Sequence, residues 1–257
     1  MTVPRNRRVS VLGVRTHIAE CGEGPPAILA PGLGLSTRFY LPLLEAFGGA
    51  GVRLIVPDLP GTGGTRGALL GSSVAASARF LLGLADSLEL ERPAWIAHSV
   101  GCQAALQVAA EHGDRVATLV LATPTGAPGR WRRVRQLLAL PRAALAGPID
   151  LVRAVMRDYV RVWPWSYVGT WLRAGSDHPV ERLAHVRCPT LVLLGAYDPI
   201  VPPALERALL DGIAGARLLR IAGGHGLPRD AVAAFTAAAA GFVRETSPEA
   251  LSAAPIS

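Results

Sequence analysis

A serine at a sharp turn is the residue in this chain best suited to nucleophilic chemistry. Ser99 lies in the segment 97–101, AHSVG, between an apolar run that predicts a strand and a following run that predicts a helix. Such a turn lifts the side chain clear of a sheet, where a base could activate its weakly nucleophilic hydroxyl. It also aims the backbone N–H of Val100 toward negative charge that forms near Ser99. A serine at this position could also be a helix N-cap without chemistry.

Two further side chains could complete a nucleophilic site, because each follows a predicted strand. Asp198 comes after the apolar run 190–195, and His225 comes after the run 216–221 and lies between glycines. Activation of a serine requires a base that takes its proton and a carboxylate that orients this base. Asp198 and His225 could fill these two roles, although an aspartate before a proline is also a common turn former.

The order of the predicted elements indicates how these residues are positioned. Continuously apolar runs are typical of strands buried on both faces and occur at 27–30, 52–56, 94–97 and 116–122. Helical patterns separate them, which predicts an α/β fold with a mostly parallel sheet flanked by helices. An antiparallel hairpin precedes this core, and we expect Asp230 to cap a final helix. In such sheets ligands bind at the carboxyl ends of the strands.

The alternation stops after residue 123 and resumes at about residue 187. We expect 124–186 to form an inserted helical lid, with the α/β core at 1–123 and 187–245 and a frayed tail at 246–257. Aromatic residues of the lid and of the segment that follows the loop 31–34 favour a mainly apolar pocket. We expect it to be lined by Phe39, Tyr40, Tyr159, Trp163, Trp165 and Trp171. His178 and Asp177, near the end of the lid, are the rival base and acid.

Positive charge is concentrated in the same segment. The chain has a net charge of +7, and residues 124–178 contribute +6 of it through nine arginines and three acids. Arg153, Arg157 and Arg161 recur at helical spacing away from an apolar face, and we interpret them as a solvated helix face rather than a binding surface. Because no nucleic-acid-binding motif accompanies the charge, we expect no nucleic-acid partner.

Cysteine usage and hydropathy bound the compartment. Cys21, Cys102 and Cys188 are scattered and form neither a disulfide framework nor a metal-ligand pattern, which favours a reducing environment. No apolar run reaches the roughly 18 residues of a membrane span, and no signal-peptide pattern is present. We therefore expect a cytoplasmic protein without metal or organic cofactor. The oligomeric state does not follow from the sequence.

Four motifs resemble those of the α/β-hydrolase superfamily and occur in the same order. The segment 97–101 resembles its G-x-S-x-G nucleophile elbow, with an alanine for the first glycine. The segment 58–63 is similar to its D-x-P-G-x-G loop, 191–202 to its acid-bearing segment, and 223–225 to its histidine loop. The resemblance spans about residues 9–244. It implies a sheet of roughly eight strands and a catalytic triad.

The resemblance also assigns roles to residues. It implies a triad of Ser99, Asp198 and His225, and an oxyanion hole formed by the backbone N–H groups of Val100 and Leu33. Leu33 follows from similarity to the family's H-G-x loop after the third strand, in which Pro31 replaces the histidine. Donation by backbone groups is compatible with this replacement, because no side chain is needed.

We therefore expect a serine hydrolase that cleaves a carboxylic ester of a mainly apolar small molecule through an acyl-enzyme on Ser99. A thioesterase or acyltransferase is the first alternative, since an arginine-rich lid could bind a CoA arm or an acyl carrier protein. A hydrolase of carbon–carbon bonds, a perhydrolase or a non-catalytic ligand receptor could use the same fold.

Overall fold

The central element of the fold is one sheet of eight strands. The structure is a computed structural model, and it describes residues 3–67, 73–126, 138–139, 149–160, 169 and 171–247. The strands are Arg5–Val11 (β1), Val14–Cys21 (β2), Pro26–Ala30 (β3), Arg53–Pro57 (β4), Ala94–His98 (β5), Leu119–Ala122 (β6), Thr190–Gly195 (β7) and Arg217–Ile221 (β8). Their order in the sheet is β1-β2-β4-β3-β5-β6-β7-β8. β2 pairs antiparallel with both β1 and β4, and all other pairs are parallel.

The inner strands are buried on both faces, as their continuous apolar runs predict. In β5, Trp95 and Ala97 pack into the core on one face of the sheet, and Ile96 packs into the core on the other. Successive side chains of a strand point to opposite faces, so a strand covered on both sides must be apolar throughout. The edge strand β1 is instead largely exposed and carries three arginines, whose charge discourages pairing with another chain.

Helices cover both faces of this sheet. They are Leu41–Phe47 (α1), Val74–Ser87 (α2), Gly101–Glu111 (α3), Ile149–Tyr159 (α4), Pro203–Gly212 (α5), Leu227–Asp230 (α6) and Val232–Glu245 (α7), with 3-10 turns at Gly113–Arg115 and Pro179–His185. Leu81 of α2, Leu106 of α3 and Leu209 of α5 pack on one face. Phe47 of α1 and Phe235 of α7 pack on the other. The predicted α/β architecture with a mostly parallel sheet is confirmed.

The end of the chain differs from the prediction in one detail. Asp230 does not cap the final helix, because α6 ends at this residue and α7 begins after Ala231. The Asp230 carboxylate instead accepts the backbone N–H of Gly224 at 2.9 Å, in the loop that carries His225. An aspartate before a helical run is equally able to brace a preceding loop, and the sequence pattern does not distinguish the two arrangements.

The segment predicted to be a lid is described in part. It contributes α4, the amphipathic helix predicted there, and the turn Pro179–His185, and its described residues contain no strand. Trp163, Trp165 and most of the predicted tail, 248–257, lie outside the described residues. The division into core and lid stays a prediction. None of the described helices is both long and apolar enough to cross a bilayer.

Candidate active site

Ser99 lies at the turn between β5 and α3, in a backbone conformation that side chains rarely adopt. Its φ angle is +55°, and its N–H donates to the carbonyl of Ala122 on the neighbouring strand β6 at 3.0 Å. Two residues further on, a Cβ atom at Gly101 would lie 2.2 Å from the carbonyl oxygen of Ala30. Only glycine therefore fits at the start of α3, where helix and strand backbones nearly touch. The strained turn presents the serine hydroxyl beyond the carboxyl end of the sheet.

The structure brings together the three side chains that the sequence analysis singled out. The Ser99 hydroxyl lies 2.9 Å from Nε2 of His225, and Nδ1 of His225 lies 2.8 Å from Oδ2 of Asp198. The carboxylate can only accept, so Nδ1 carries the proton and Nε2 accepts from the serine hydroxyl. Asp198 is almost fully buried, with 1% of its side chain exposed, whereas His225 has 17% exposed. This arrangement can remove a proton from Ser99 when the serine attacks an electrophile.

The loops after β7 and β8 hold the side chains of Asp198 and His225. Asp198 follows β7, and its second oxygen accepts the backbone N–H of Ile200 at 2.7 Å. His225 follows β8, and its backbone carbonyl accepts the hydroxyl of Thr123, which follows β6, at 3.0 Å. The bond to Ile200 thus limits rotation of the Asp198 carboxylate, and the bond to Thr123 fixes the backbone that carries the His225 imidazole.

Two backbone N–H groups of the loops around this site have no partner in the described part of the chain. They belong to Val100, at the start of α3, and to Leu33, in the loop after β3. Both residues line the same cavity as Ser99. An unpaired N–H at a helix N-terminus is suited to stabilise an oxyanion, because the helix dipole adds to its partial charge.

The cavity in front of Ser99 has a volume of about 390 Å3 and a mainly apolar lining. Side chains from the loop after β3, from α4 and from the segment after it line it, among them Phe39, Leu151, Val155, Met156, Tyr159 and Trp171. No carboxylate, arginine or lysine side chain is found among its described lining residues. A site of this composition favours an uncharged, apolar ligand group, because a charge would lose its hydration without gaining a partner.

The predicted place of Tyr40 in the pocket wall is corrected by the structure, because Tyr40 does not line this cavity. Its side chain is completely buried, and its hydroxyl takes part in hydrogen bonds with the Gly32 N–H at 2.8 Å and with Nδ1 of His98 at 2.9 Å. Adjacent Phe39 does line the cavity. Neighbouring aromatic residues in a loop point in different directions, and sequence spacing does not say which one faces the ligand.

The rival base and acid do not join the site. Asp177 forms a bidentate ion pair with Arg182, with N–O distances of 2.7 and 2.9 Å. The side chain of His178 is exposed, and its Nδ1 lies 3.7 Å from the carboxylate of Glu181. Neither residue lines the cavity. They belong to the segment that leads back to the core, in which the Asp177 side chain is mostly buried and the His178 side chain is exposed.

Two polar residues of this region were not assigned to the site by the sequence analysis. Nε2 of His98 lies 3.0 Å from the backbone carbonyl of His225. Asp158 of α4 is buried and accepts both the N–H and the hydroxyl of Ser36, in the loop after β3, at 2.8 Å. Tyr40, which the sequence analysis placed in the pocket wall, is instead hydrogen-bonded to His98. The sequence signal that could have indicated these residues is a polar side chain within an otherwise helical or apolar run.

A serine, an aspartate and a histidine at the ends of three parallel strands, in this chain order and on this sheet, define a class of enzyme. The chain belongs to the alpha/beta hydrolase family, whose sequence model matches residues 27–239. It is an α/β-hydrolase, as the motifs of the sequence predict.

Comparison with individual proteins supports this assignment. The chain is 28% identical to the protein named "Putative carbamate hydrolase RutD" of Caulobacter sp. (strain K31), over 88% of this chain and 93% of that protein. It is 26% identical to 2-hydroxy-6-oxo-6-phenylhexa-2,4-dienoate hydrolase of Comamonas testosteroni, over 79% of this chain and 81% of that protein. The solved esterase EaEST from Exiguobacterium antarcticum matches its fold with a TM-score of 0.81 at 18% identity, over 93% of this chain and 100% of that chain.

Proposed function

We propose that this α/β-hydrolase is a serine hydrolase that cleaves a carboxylic ester of a mainly apolar small molecule. His225 removes the proton of Ser99 as the serine oxygen attacks the ester carbonyl, and it then donates that proton to the departing alcohol. Water, activated by the same imidazole, attacks the acyl-enzyme and releases the acid and Ser99. Asp198 orients His225 and stabilises the imidazolium in both halves of the cycle. The hydrogen-bonded chain from Ser99 through His225 to Asp198, on the wall of the apolar cavity, carries this proposal.

The N–H groups of Leu33 and Val100 are proposed to hold the oxyanion of each tetrahedral intermediate. Their support is that both lack a partner among the described residues and that both belong to the cavity wall beside Ser99. Loss of one such donor typically costs about 3 kcal/mol of transition-state stabilisation.

The lining of the cavity favours an uncharged ester over the alternatives. A C–C hydrolase substrate such as a dienoate carries a carboxylate, and the described lining offers no cationic side chain to pair with it. The carrier-protein alternative relies on the arginines of the lid. Arg153 is exposed and lies 3.4 Å from Asp150 on the same helix, which fits a solvated face. Carbamates stay a second candidate, because the relative named a putative carbamate hydrolase aligns with this chain over 93% of its own length.

A covalent probe tests whether Ser99 is an activated nucleophile. Intact-mass measurement should show one fluorophosphonate adduct on the wild type and none on the Ser99→Ala and His225→Ala variants. A panel of p-nitrophenyl esters, a thioester and a carbamate of matched chain length then compares kcat/KM. We expect the uncharged ester of medium chain length to be the best substrate. A folded wild type that resists labelling would overturn the hydrolytic proposal, and a carbamate preferred over its ester would overturn the substrate class.

A further inference from the structure

A continuous chain of hydrogen bonds runs beneath Ser99 and connects the loops on either side of it. The N–H of Gly32 lies 2.8 Å from the Tyr40 hydroxyl, which lies 2.9 Å from Nδ1 of His98. Nε2 of His98 lies 3.0 Å from the backbone carbonyl of His225. Tyr40 and His98 are both buried, with 0% and 3% of their surface exposed. No part of this chain belongs to the groups that exchange protons in the proposed reaction.

The direction of every bond in the chain is determined by its ends. A carbonyl only accepts, so Nε2 of His98 must carry a proton and donate it to His225. Nδ1 of the neutral ring is then an acceptor, so the Tyr40 hydroxyl donates to it and uses a lone pair to accept from Gly32. Each donor has one acceptor, and only one tautomer of His98 fits. Burial lowers the pKa of His98 to about 3, which keeps its ring neutral in ordinary buffers.

Three members of this chain are next to, or part of, the proposed machinery. Gly32 precedes Leu33, a proposed oxyanion donor, and His98 precedes Ser99. His225 is bound through its own backbone carbonyl. The ring of Phe39, which lines the cavity, stacks on His98 at a centroid distance of 5.9 Å and an angle of 11°. Movement of any one loop would therefore break a buried hydrogen bond, which is costly when no water can replace it.

We propose that Tyr40 and His98 are positioning residues that hold the Leu33 N–H and the His225 imidazole in register around Ser99. This inference rests on the proposed esterase function and concerns the alignment of that same site. The transition state needs the base within hydrogen-bond reach of the attacking Ser99 oxygen and the oxyanion donor within reach of the substrate oxygen that gains the charge. Displacements of about 1 Å are enough to slow such a reaction. The two residues act through the backbone of Gly32 and His225 and touch no substrate.

Removal of the Tyr40 hydroxyl tests the oxyanion side of this alignment. Tyr40→Phe leaves the Gly32 N–H and Nδ1 of His98 without partners, so the loop that carries Leu33 should shift to find a new acceptor. We expect kcat for a p-nitrophenyl ester to fall by about 10- to 100-fold, with KM changed by less than about 3-fold. The matched thionoester places a sulfur, a weak acceptor, in the oxyanion hole. The ester-to-thionoester ratio of kcat should therefore fall in this variant.

A pair of substitutions at His98 tests the base side and provides a rescue. His98→Gln keeps one donor and one acceptor at this position, whereas His98→Leu has neither. We expect His98→Leu to lose about 100-fold or more in kcat and His98→Gln to recover at least about 10-fold of that loss. A purely structural role would predict that both variants follow their thermal stability instead.

A buried hydrogen bond elsewhere provides the matched control. The Thr118 hydroxyl lies 2.6 Å from that of Thr246, and Thr118 precedes β6 at the opposite, amino end of the sheet. Thr118→Val should lower the melting temperature and leave the thionoester ratio unchanged. A Tyr40→Phe enzyme with wild-type kcat and ratio, or an equal loss in both His98 variants, would overturn the inference. Absence of any fluorophosphonate labelling of the wild type at Ser99 would instead reject the proposed function itself.

Discussion

At the scale of single residues, the carboxylate of Asp198 has its two oxygens committed to different partners. One accepts the N–H of Ile200 at 2.7 Å and the other accepts Nδ1–H of His225 at 2.8 Å. The backbone bond determines which oxygen faces the imidazole, and the imidazole in turn presents an unprotonated Nε2 to Ser99. The carboxylate, which can only accept, thus sets the tautomer of the imidazole, and the bond to Ile200 fixes the orientation of the carboxylate.

The substitution Asp198→Asn should invert this proton arrangement with little change of shape. The Ile200 N–H selects the amide oxygen, so the introduced NH2 group faces Nδ1 of His225. The ring must then carry its proton on Nε2, where it cannot accept from Ser99. We expect kcat to fall by about 10^3- to 10^4-fold while the circular dichroism spectrum and melting curve stay close to wild type.

The rival carboxylate is the control for this measurement. Asp177→Asn removes a similarly buried charge from its pair with Arg182, which lies away from the cavity. We expect its kcat to stay within about 2-fold of the wild type at a temperature where it is folded. If instead Asp177→Asn inactivates the enzyme and Asp198→Asn does not, the assignment of the acid is wrong.

At the scale of elements, α4 joins the two loops that flank the proposed nucleophile. Near its start, Leu151 packs so closely on Gly226 that a Cβ there would lie 2.5 Å from Cδ1 of the leucine. At its other end, buried Asp158 accepts the N–H and the hydroxyl of Ser36 in the loop after β3. The helix therefore forms part of the cavity wall and is attached both to the histidine loop and to the loop that carries Leu33.

Loss of the Asp158 attachment should loosen this helix without disabling the reacting groups. Asp158→Ala leaves the buried N–H and hydroxyl of Ser36 unpaired, a cost of about 1–3 kcal/mol for each such group that local opening would relieve. We expect faster amide hydrogen exchange across 149–160. KM for a medium-chain ester should rise by about 10-fold, because the helix forms much of the apolar wall.

A short-chain substrate and a control substitution at an exposed carboxylate distinguish loss of the Asp158 attachment from damage to the reacting groups. An acetyl ester, which needs little of the apolar wall, should keep its kcat within about 3-fold in Asp158→Ala. Asp150→Asn removes the exposed partner of Arg153 on the same helix and should leave exchange and KM unchanged. Unaltered hydrogen exchange in Asp158→Ala would show that α4 does not depend on this attachment.

At the scale of the whole molecule, one buried carboxylate ties the antiparallel edge of the sheet to the loops of its parallel part. Asp58, which follows β4, accepts Nδ1–H of His17 on β2 and the N–H groups of Thr37 and Gly64. Burial alone raises the pKa of Asp58, but these hydrogen bonds together lower it below its ordinary value. The charged form is therefore favoured more strongly in the folded state than in the unfolded chain.

This lowered pKa predicts a loss of stability in acid. The unfolded chain, with an aspartate pKa of about 3.9, binds the proton more readily than the folded protein does. The contribution of Asp58 is thus complete above that value and disappears as the pH falls through the lower pKa of the folded state. Urea unfolding between pH 7 and pH 3 should show a fall in the free energy of unfolding that is shallower in Asp58→Asn.

An exposed acid gives the comparison for this measurement. Asp86 has 61% of its side chain exposed beside Arg115, and its replacement by asparagine should leave the pH dependence of stability close to that of the wild type. Equal slopes for wild type and Asp58→Asn would contradict a special role for the buried carboxylate.

The sequence by itself determined the α/β architecture and singled out Ser99, Asp198 and His225. Buried strands and amphipathic helices have characteristic patterns, because the faces that contact the core must be apolar. Side chains that follow parallel strands share one edge of the sheet, so three separated residues could be expected to meet there. The positions of these three residues directly after predicted strands were enough to predict that they lie close together.

Only the tertiary structure decided how the surroundings of these residues are joined. Tyr40 meets His98 across 58 positions of the chain, Asp158 meets Ser36 across 122, and His98 meets His225 across 127. Periodicity indicates that such residues are buried but carries no information about their partners. A buried polar group accepts whichever donor the packed loops bring to it, and this pairing depends on distances that arise only when the whole chain has folded.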